Sequence, residues 1–154
     1  MNVISPPAAG RILALDLGER RIGLALSDEL GLTAQGLDSL TRTTEREDLE
    51  RLARLVEEKQ VAVIVVGNPI RMDGTEGARS EWARRFARKL ERRTRRSVVL
   101  WDERLTTKAA ERVLRASGVS RAQRNRAVDR LSAVLLLSSY LETLSPLRRA
   151  AGSP

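Results

Sequence analysis

The sequence predicts an α/β domain whose mixed five-stranded sheet carries helices on both faces. Two short apolar runs separated by a glycine break open the chain, and a continuously β-branched run, VAVIVV, follows the first amphipathic segment. Beyond it, helical periodicity alternates with one more short strand, the pattern of a sheet covered by helices.

Each element has its own signal. Arg11 to Leu17 (RILALDL) reads as a buried strand, and Arg21 to Ser27 (RIGLALS) has the same character. The Gly18-Glu19-Arg20 break between them predicts an antiparallel hairpin. A third strand is expected within Leu32 to Leu40. Thr44 with Glu47 forms a capping-box pattern, after which Leu49, Leu52, Ala53 and Val56 follow helical spacing. Val61 to Val66 has no polar face and so predicts a strand buried on both sides, as in a parallel sheet. Asn68 to Gly77 is rich in turn residues, which suits either a plain connection or a flap. A second helix is expected from about Glu76 to Arg95, with Trp82, Ala83, Phe86, Ala87 and Leu90 on its core face. Ser97 to Trp101 is the fifth strand. A third helix is expected from Thr107 to Gly118, with Ala110, Val113 and Leu114 inward, and a last one from Ala127 to Leu144, deeply packed through Ala133 to Leu137. The expected organisation is a tail over 1–10, one domain over 11–144 and a second tail over 145–154. Three strands, helix, strand, helix, strand and two helices is the order of the RNase H-like fold, which alone establishes no function.

Composition bounds the chemistry. The 154 residues, 42% of them hydrophobic, suffice for one core. The formal charge of +8 arises from 28 basic residues against 20 acidic, and only Lys59, Lys89 and Lys108 among the basic ones are lysine. Arginine pairs bidentately with phosphate, so this balance suits a polyanionic partner, although an arginine-biased genome would produce it too. With neither cysteine nor histidine the chain has no thiol nucleophile, no Ser-His triad, no thiolate zinc site and no histidine general base. Catalysis would have to rest on carboxylates, hydroxyls, lysine, arginine or a bound cofactor. Met1 to Gly10 lacks the basic and apolar segments of a signal peptide, and no apolar run is long enough to span a bilayer. A cytoplasmic protein with no membrane partner is the expectation.

Four acids stand out. Asp16 interrupts a buried strand on the face shared with Ile12 and Ala14, where an unpaired carboxylate loses several kcal/mol of solvation. Asp102 and Glu103 follow VVLW at the C-terminal end of the fifth strand, the edge where ligands gather in open α/β sheets. Asp129 begins the last helix below an apolar stripe of Ala133, Leu136 and Tyr140. Each alone could be a cap, a turn acceptor or an ion-pair partner. If the last helix packs over the edge shared by the first and fifth strands, the acids converge, and their repulsion calls for a hard cation, magnesium or manganese. Two such ions can activate a water and stabilise a leaving oxygen without histidine.

The segments LDLGERRIGLALSD, VVGNPIRMDGTEG, WDERLTT and AVDRLSAVLLLSSYL resemble, in order and spacing, the YqgF family, also called RuvX, relatives of the RuvC Holliday-junction resolvases. The resemblance runs from Arg11 to Leu141. It implies an RNase H-like nuclease, dependence on Mg2+ or Mn2+, and roles in pre-16S ribosomal RNA maturation and in junction resolution. It also implies that Asp16, Glu103 and Asp129 are the catalytic and metal-holding acids. Strand alternation leaves Asp102 as the alternative to Glu103. One departure is visible: RuvC-type sites use four acids, whereas the last helix here offers Asp129 and then only Glu142.

Arg20, Arg21, Arg71, Arg104 and Lys108 flank these motifs and are the candidate phosphate contacts, and the arginine-rich second helix is a weaker one. RNA is the expected partner, with four-way DNA junctions as the alternative. A homodimer would be needed for two symmetric cuts. Two further readings remain at this point. DLGERRIG also resembles the phosphate loop of actin-like and sugar-kinase ATPases, and the domain could be a non-catalytic RNA-binding module of ribosome assembly.

Overall fold

The structure, a computed structural model, describes residues 10–103 and 121–152, with backbone alone for 121–126, 128 and 145–152. The five strands are β1 (Arg11–Leu17), β2 (Arg21–Ser27), β3 (Ala34–Thr41), β4 (Val61–Asn68) and β5 (Ser97–Asp102). Three helices accompany them: α1 (Glu45–Glu58), α2 (Ala78–Thr94) and α3 (Arg121–Gly152). The sheet order is β3-β2-β1-β4-β5. β1 pairs antiparallel with β2 and parallel with β4, while β3 and β5 extend the two sides antiparallel and parallel. The first strand is thus the centre of the sheet.

Alternation divides the sheet into two cores. Leu13, Leu15, Ile22, Leu24, Ile64 and Val66 pack with Leu52 and Val56 of α1 and Phe86 and Leu90 of α2. On the other face Ile12, Ala14, Ala25, Val63 and Val65 meet Ala133, Leu136, Leu137, Tyr140 and Leu144 of α3. Burying each of the larger side chains contributes about 1.5–3 kcal/mol.

Several local expectations need correction. Trp82 packs against the first core but is only half-buried, at its edge, with the Arg42 guanidinium over its ring, 4.5 Å from the centroid. α1 buries Asp48 beside Leu52, Ala53 and Val56, with no exposed surface. That carboxylate accepts from Arg51 Nη2 at 2.6 Å and from the Thr43 backbone N–H at 3.1 Å, and Arg42 Nε stands 3.6 Å away. A charge so placed is held by its cations, which a hydrophobic stripe does not reveal. The capping box is half made: Thr44 accepts from the Glu47 backbone N–H, but the Glu47 carboxylate turns to the Thr43 hydroxyl. α3 runs past both expected ends, because the apolar stripe that set them stops at Leu144 whereas backbone hydrogen bonding needs no buried face. The backbone of residues 145–152 therefore continues the helix. The expected helix Thr107–Gly118 lies outside the described residues.

Candidate active site

The site is set by strand parity. On β1, Leu13, Leu15 and Leu17 face α1 and α2, so Ile12, Ala14 and Asp16 face α3. On β5, Val98 and Leu100 join the first core and Val99 and Trp101 the second. Continuing that alternation turns Glu103 toward α3 and Asp102 away from it. Asp102 is exposed, in register with Asn68 of β4.

Asp16 and Glu103 meet across β4. A Cβ placed on Gly67 would lie 2.4 Å from Glu103 Oε2 and 3.2 Å from Leu136 Cδ2, so the missing side chain is the space the glutamate carboxylate occupies. Glu103 hydrogen-bonds to Asp16. Burial first, and then the negative charge of Asp129, push the Asp16 carboxyl above its ordinary range, against the Glu103 hydrogen bond and Arg79. Burial, the Asp16 charge and the hydrogen bond to Asp16 push Glu103 up to about 7, with Arg79 opposing and Asp102 adding a little. Desolvation and like charge act together here, the combination that concentrates at functional sites.

Asp129 enters from α3 over β2. Gly23, directly opposite Asp16 in the hairpin, admits it: a Cβ there would lie 2.4 Å from the Asp129 backbone oxygen. The Asp129 carboxylate accepts from Arg21 Nε at 2.5 Å. Asp16 and Glu103 are therefore in contact, with Asp129 beside them but turned to Arg21. Among the described residues no group of three or more acids is already gathered to hold a metal ion.

The cationic candidates fare differently. Arg21 is paired with Asp129, Arg20 is exposed on the hairpin turn, and Arg71 is exposed with its guanidinium against Gly77. Arg104 and Lys108 lie outside the described residues. The Asn68–Gly77 loop carries its own turn, in which Asp73 Oδ1 accepts from the Thr75 N–H at 2.9 Å and the Arg71 N–H donates to Thr75 O. Arg79 was missed in the sequence. It opens α2, its Nη2 donates to the Leu17 carbonyl at 3.4 Å, and its charge acts on both Asp16 and Glu103. The available signal was positional: α2 begins where parallel β4 ends, the edge that holds the acids. Asn68 ties that end down, its buried Oδ1 accepting from Ser80 Oγ at 2.6 Å.

These shifts predict a pH dependence of the metal-free protein. Unfolded Glu103 loses its proton near 4.5, while the folded group keeps it to about 7. Because the folded state binds the extra proton, stability is fully present below 4.5 and falls as pH rises through 7. Allowing for partial solvation, the loss is about 1–2 kcal/mol between pH 5 and 8. Urea unfolding in chelator should show it, and Glu103→Gln should flatten it. An unchanged slope in the variant would refute this origin.

A five-stranded mixed sheet in the order β3-β2-β1-β4-β5, with helices on both faces, is the RNase H-like fold. Solved structures agree on the fold: a Thermus thermophilus RuvC bound to a Holliday junction substrate (TM-score 0.53, 14% identity, 88% of this chain and 96% of that one). The fowlpox virus Holliday junction resolvase aligns equally well (TM-score 0.53, 14% identity, 87% and 99%). The model of the RuvX family, described as a Holliday junction resolvase, matches residues 10–143. Relatives named "Putative pre-16S rRNA nuclease" include those of Koribacter versatilis (53% identical, 86% of this chain, 87% of that one) and Bacillus subtilis (46%, 88% and 99%). The chain belongs to the RuvX family. It is a nuclease, a hydrolase of phosphodiester bonds, and this sets aside the ATPase-lobe and non-catalytic readings. Among the described residues no helix is long and apolar enough to cross a membrane.

Proposed function

We propose that this nuclease depends on Mg2+ or Mn2+, acts in the cytoplasm on the 5′ end of precursor 16S ribosomal RNA, and uses Asp16, Glu103 and Asp129 as its metal-holding acids. The observation that carries the metal reading is the Asp16–Glu103 contact: two carboxylates held together in a desolvated site, both raised by burial and like charge. An all-oxygen donor set under mutual repulsion fits a hard divalent cation. The substrate reading draws on the names of relatives about half identical to this chain.

When bound, divalent metal supplies charge neutralisation and an activated water at the phosphorus. The protein's own part is to deliver the acids ionised and aimed. Glu103 would release to solvent the proton that links it to Asp16, and Arg79 would offset part of the charge that results. Asp129 can join them by releasing Arg21, which frees that guanidinium for a phosphate beside the scissile bond. Arg20, Arg71, Arg104 and Lys108 would extend the phosphate contacts, and Asp102 would serve from outside.

Junction DNA is the second reading, favoured by the family description, and it would require a homodimer to cut symmetrically. The test is cleavage of precursor 16S ribosomal RNA, single-stranded RNA and four-way DNA junctions under each metal. Cleavage of the precursor RNA at least tenfold faster than of the junction is expected. Symmetric junction cutting with both RNAs left intact would replace the RNA reading.

A further inference from the structure

Apart from Arg79 at the acids, the cations of α2 and of the two residues that follow it fall into two sets. Lys89, Arg93 and Arg96 pair with Glu45, Glu50 and Glu57, and Arg84 pairs with Glu76. Arg85, Arg88, Arg92 and Arg95 are all exposed, and none has an acidic partner among the described residues. Arg85, Arg88 and Arg92, three and four residues apart, share one stripe of the helix, and Arg95, its left-handed C-cap residue, follows at the end of that stripe. Like charges so placed destabilise a helix by a few tenths of a kcal/mol each, and α1 and the preceding loop spend their acids elsewhere. Three of the four line a shallow recess of about 550 Å³ with Glu91, Arg96 and Ser97 at the far end of the helix.

α2 also has a direction. It starts at Arg79, beside the acids, and its 17 residues lead roughly 25 Å away from them. A strand of nucleic acid leaving the site along this helix would meet the stripe next. Base stacking is not the alternative anchor, because the four aromatics are engaged in packing: Trp82 with Phe86 and Arg42, and Trp101 edge-on to Tyr140.

From these observations we propose that Arg85, Arg88, Arg92 and Arg95 form a second nucleic-acid interface that holds the phosphodiester backbone of the substrate away from the cleavage site. The proposal rests on the reading of a polynucleotide substrate and adds where that polymer lies.

The test is equilibrium binding across a salt series, in chelator so that nothing is cut, to a 30-nucleotide RNA and to duplex DNA of the same sequence. The variant carries glutamine at all four stripe positions. A control with glutamine at Arg54, Arg84, Lys89 and Arg93, none of which lines the recess, has the same net charge. The stripe variant should bind roughly ten- to hundredfold more weakly, with its salt slope on RNA reduced by about 3, and the control should lose much less. RNA and DNA arms that fall together mean backbone recognition. Equal losses in both variants would reduce the effect to net charge, and unchanged binding would remove the stripe; either overturns the proposal. Failure of the wild-type protein to bind either polymer would instead overturn the polynucleotide reading beneath it. Thermal melts of both variants show whether each is folded.

Discussion

Asp16→Asn is expected to abolish metal-dependent cleavage while the protein folds as well as the wild type. The amide keeps the shape of the side chain and removes the charge that would hold a divalent ion. Losing the metal's polarisation and its activated water costs several kcal/mol of transition-state stabilisation, a drop of roughly a thousandfold or more. Stability should move the other way. Burial and the charge of Asp129 penalise the ionised Asp16 carboxylate, so a neutral group in its place removes a cost at neutral pH. The neighbouring Glu103 should also titrate below its wild-type value of about 7, because the Asp16 charge is one of the causes that raise it. Three measurements check this: cleavage rate, chemical unfolding in chelator, and carboxyl titration followed by NMR. A variant that melts well below the wild type without metal would mean that Asp16 is chiefly a structural acceptor. One that still cuts at the wild-type rate would remove Asp16 from the metal site.

The sequence revealed the strands because their signals are local. RILALDL, RIGLALS and VAVIVV carry the apolar density of buried strands, and the Gly18 break fixes the hairpin between the first two. Asp16 was legible for the same reason, as a charge where burial makes charge expensive. The choice between Asp102 and Glu103 was not, because SVVLW is apolar at successive positions and so hides which parity faces α3. Only packing resolves it, through Val99 and Trp101 against α3 and Val98 and Leu100 against the opposite layer. Arg79 and Asp48 were illegible for a different reason. Each is one charge among many on an arginine- and glutamate-rich helix, and its importance comes from partners distant in sequence: Leu17 and the acids for Arg79, Arg42 for Asp48. The glycines that shape the site also carry no local mark, since what they make room for comes from another element.

Gly23 gives the sharpest test of that last point. A methyl group there would stand 2.4 Å from the Asp129 carbonyl oxygen and 3.1 Å from its carbon. Both are backbone atoms, so no rotamer change relieves the clash, and α3 must lift from β2 near Asp129. The rest of the helix is pinned by Ala133, Leu136, Leu137 and Tyr140, so the movement concentrates at the end that carries the acid. Gly23→Ala should cost about 1–3 kcal/mol of stability, as other insertions into tight packing do. It should also slow cleavage about a hundredfold, because misplacing a reacting group by an ångström costs that much. Gly36→Ala is the comparison: its methyl would meet side chains and no backbone, Arg130 at Cγ and Cδ and Val134 at Cγ2, so repacking of those side chains can relieve it and its effect should be smaller. Assaying both variants well below their melting temperatures separates misplacement from unfolding, since a variant that is only less stable recovers its rate there. If Gly23→Ala is as stable and as active as the wild type, close approach of α3 to β2 does not position Asp129, and its place in the site has to be explained by other contacts.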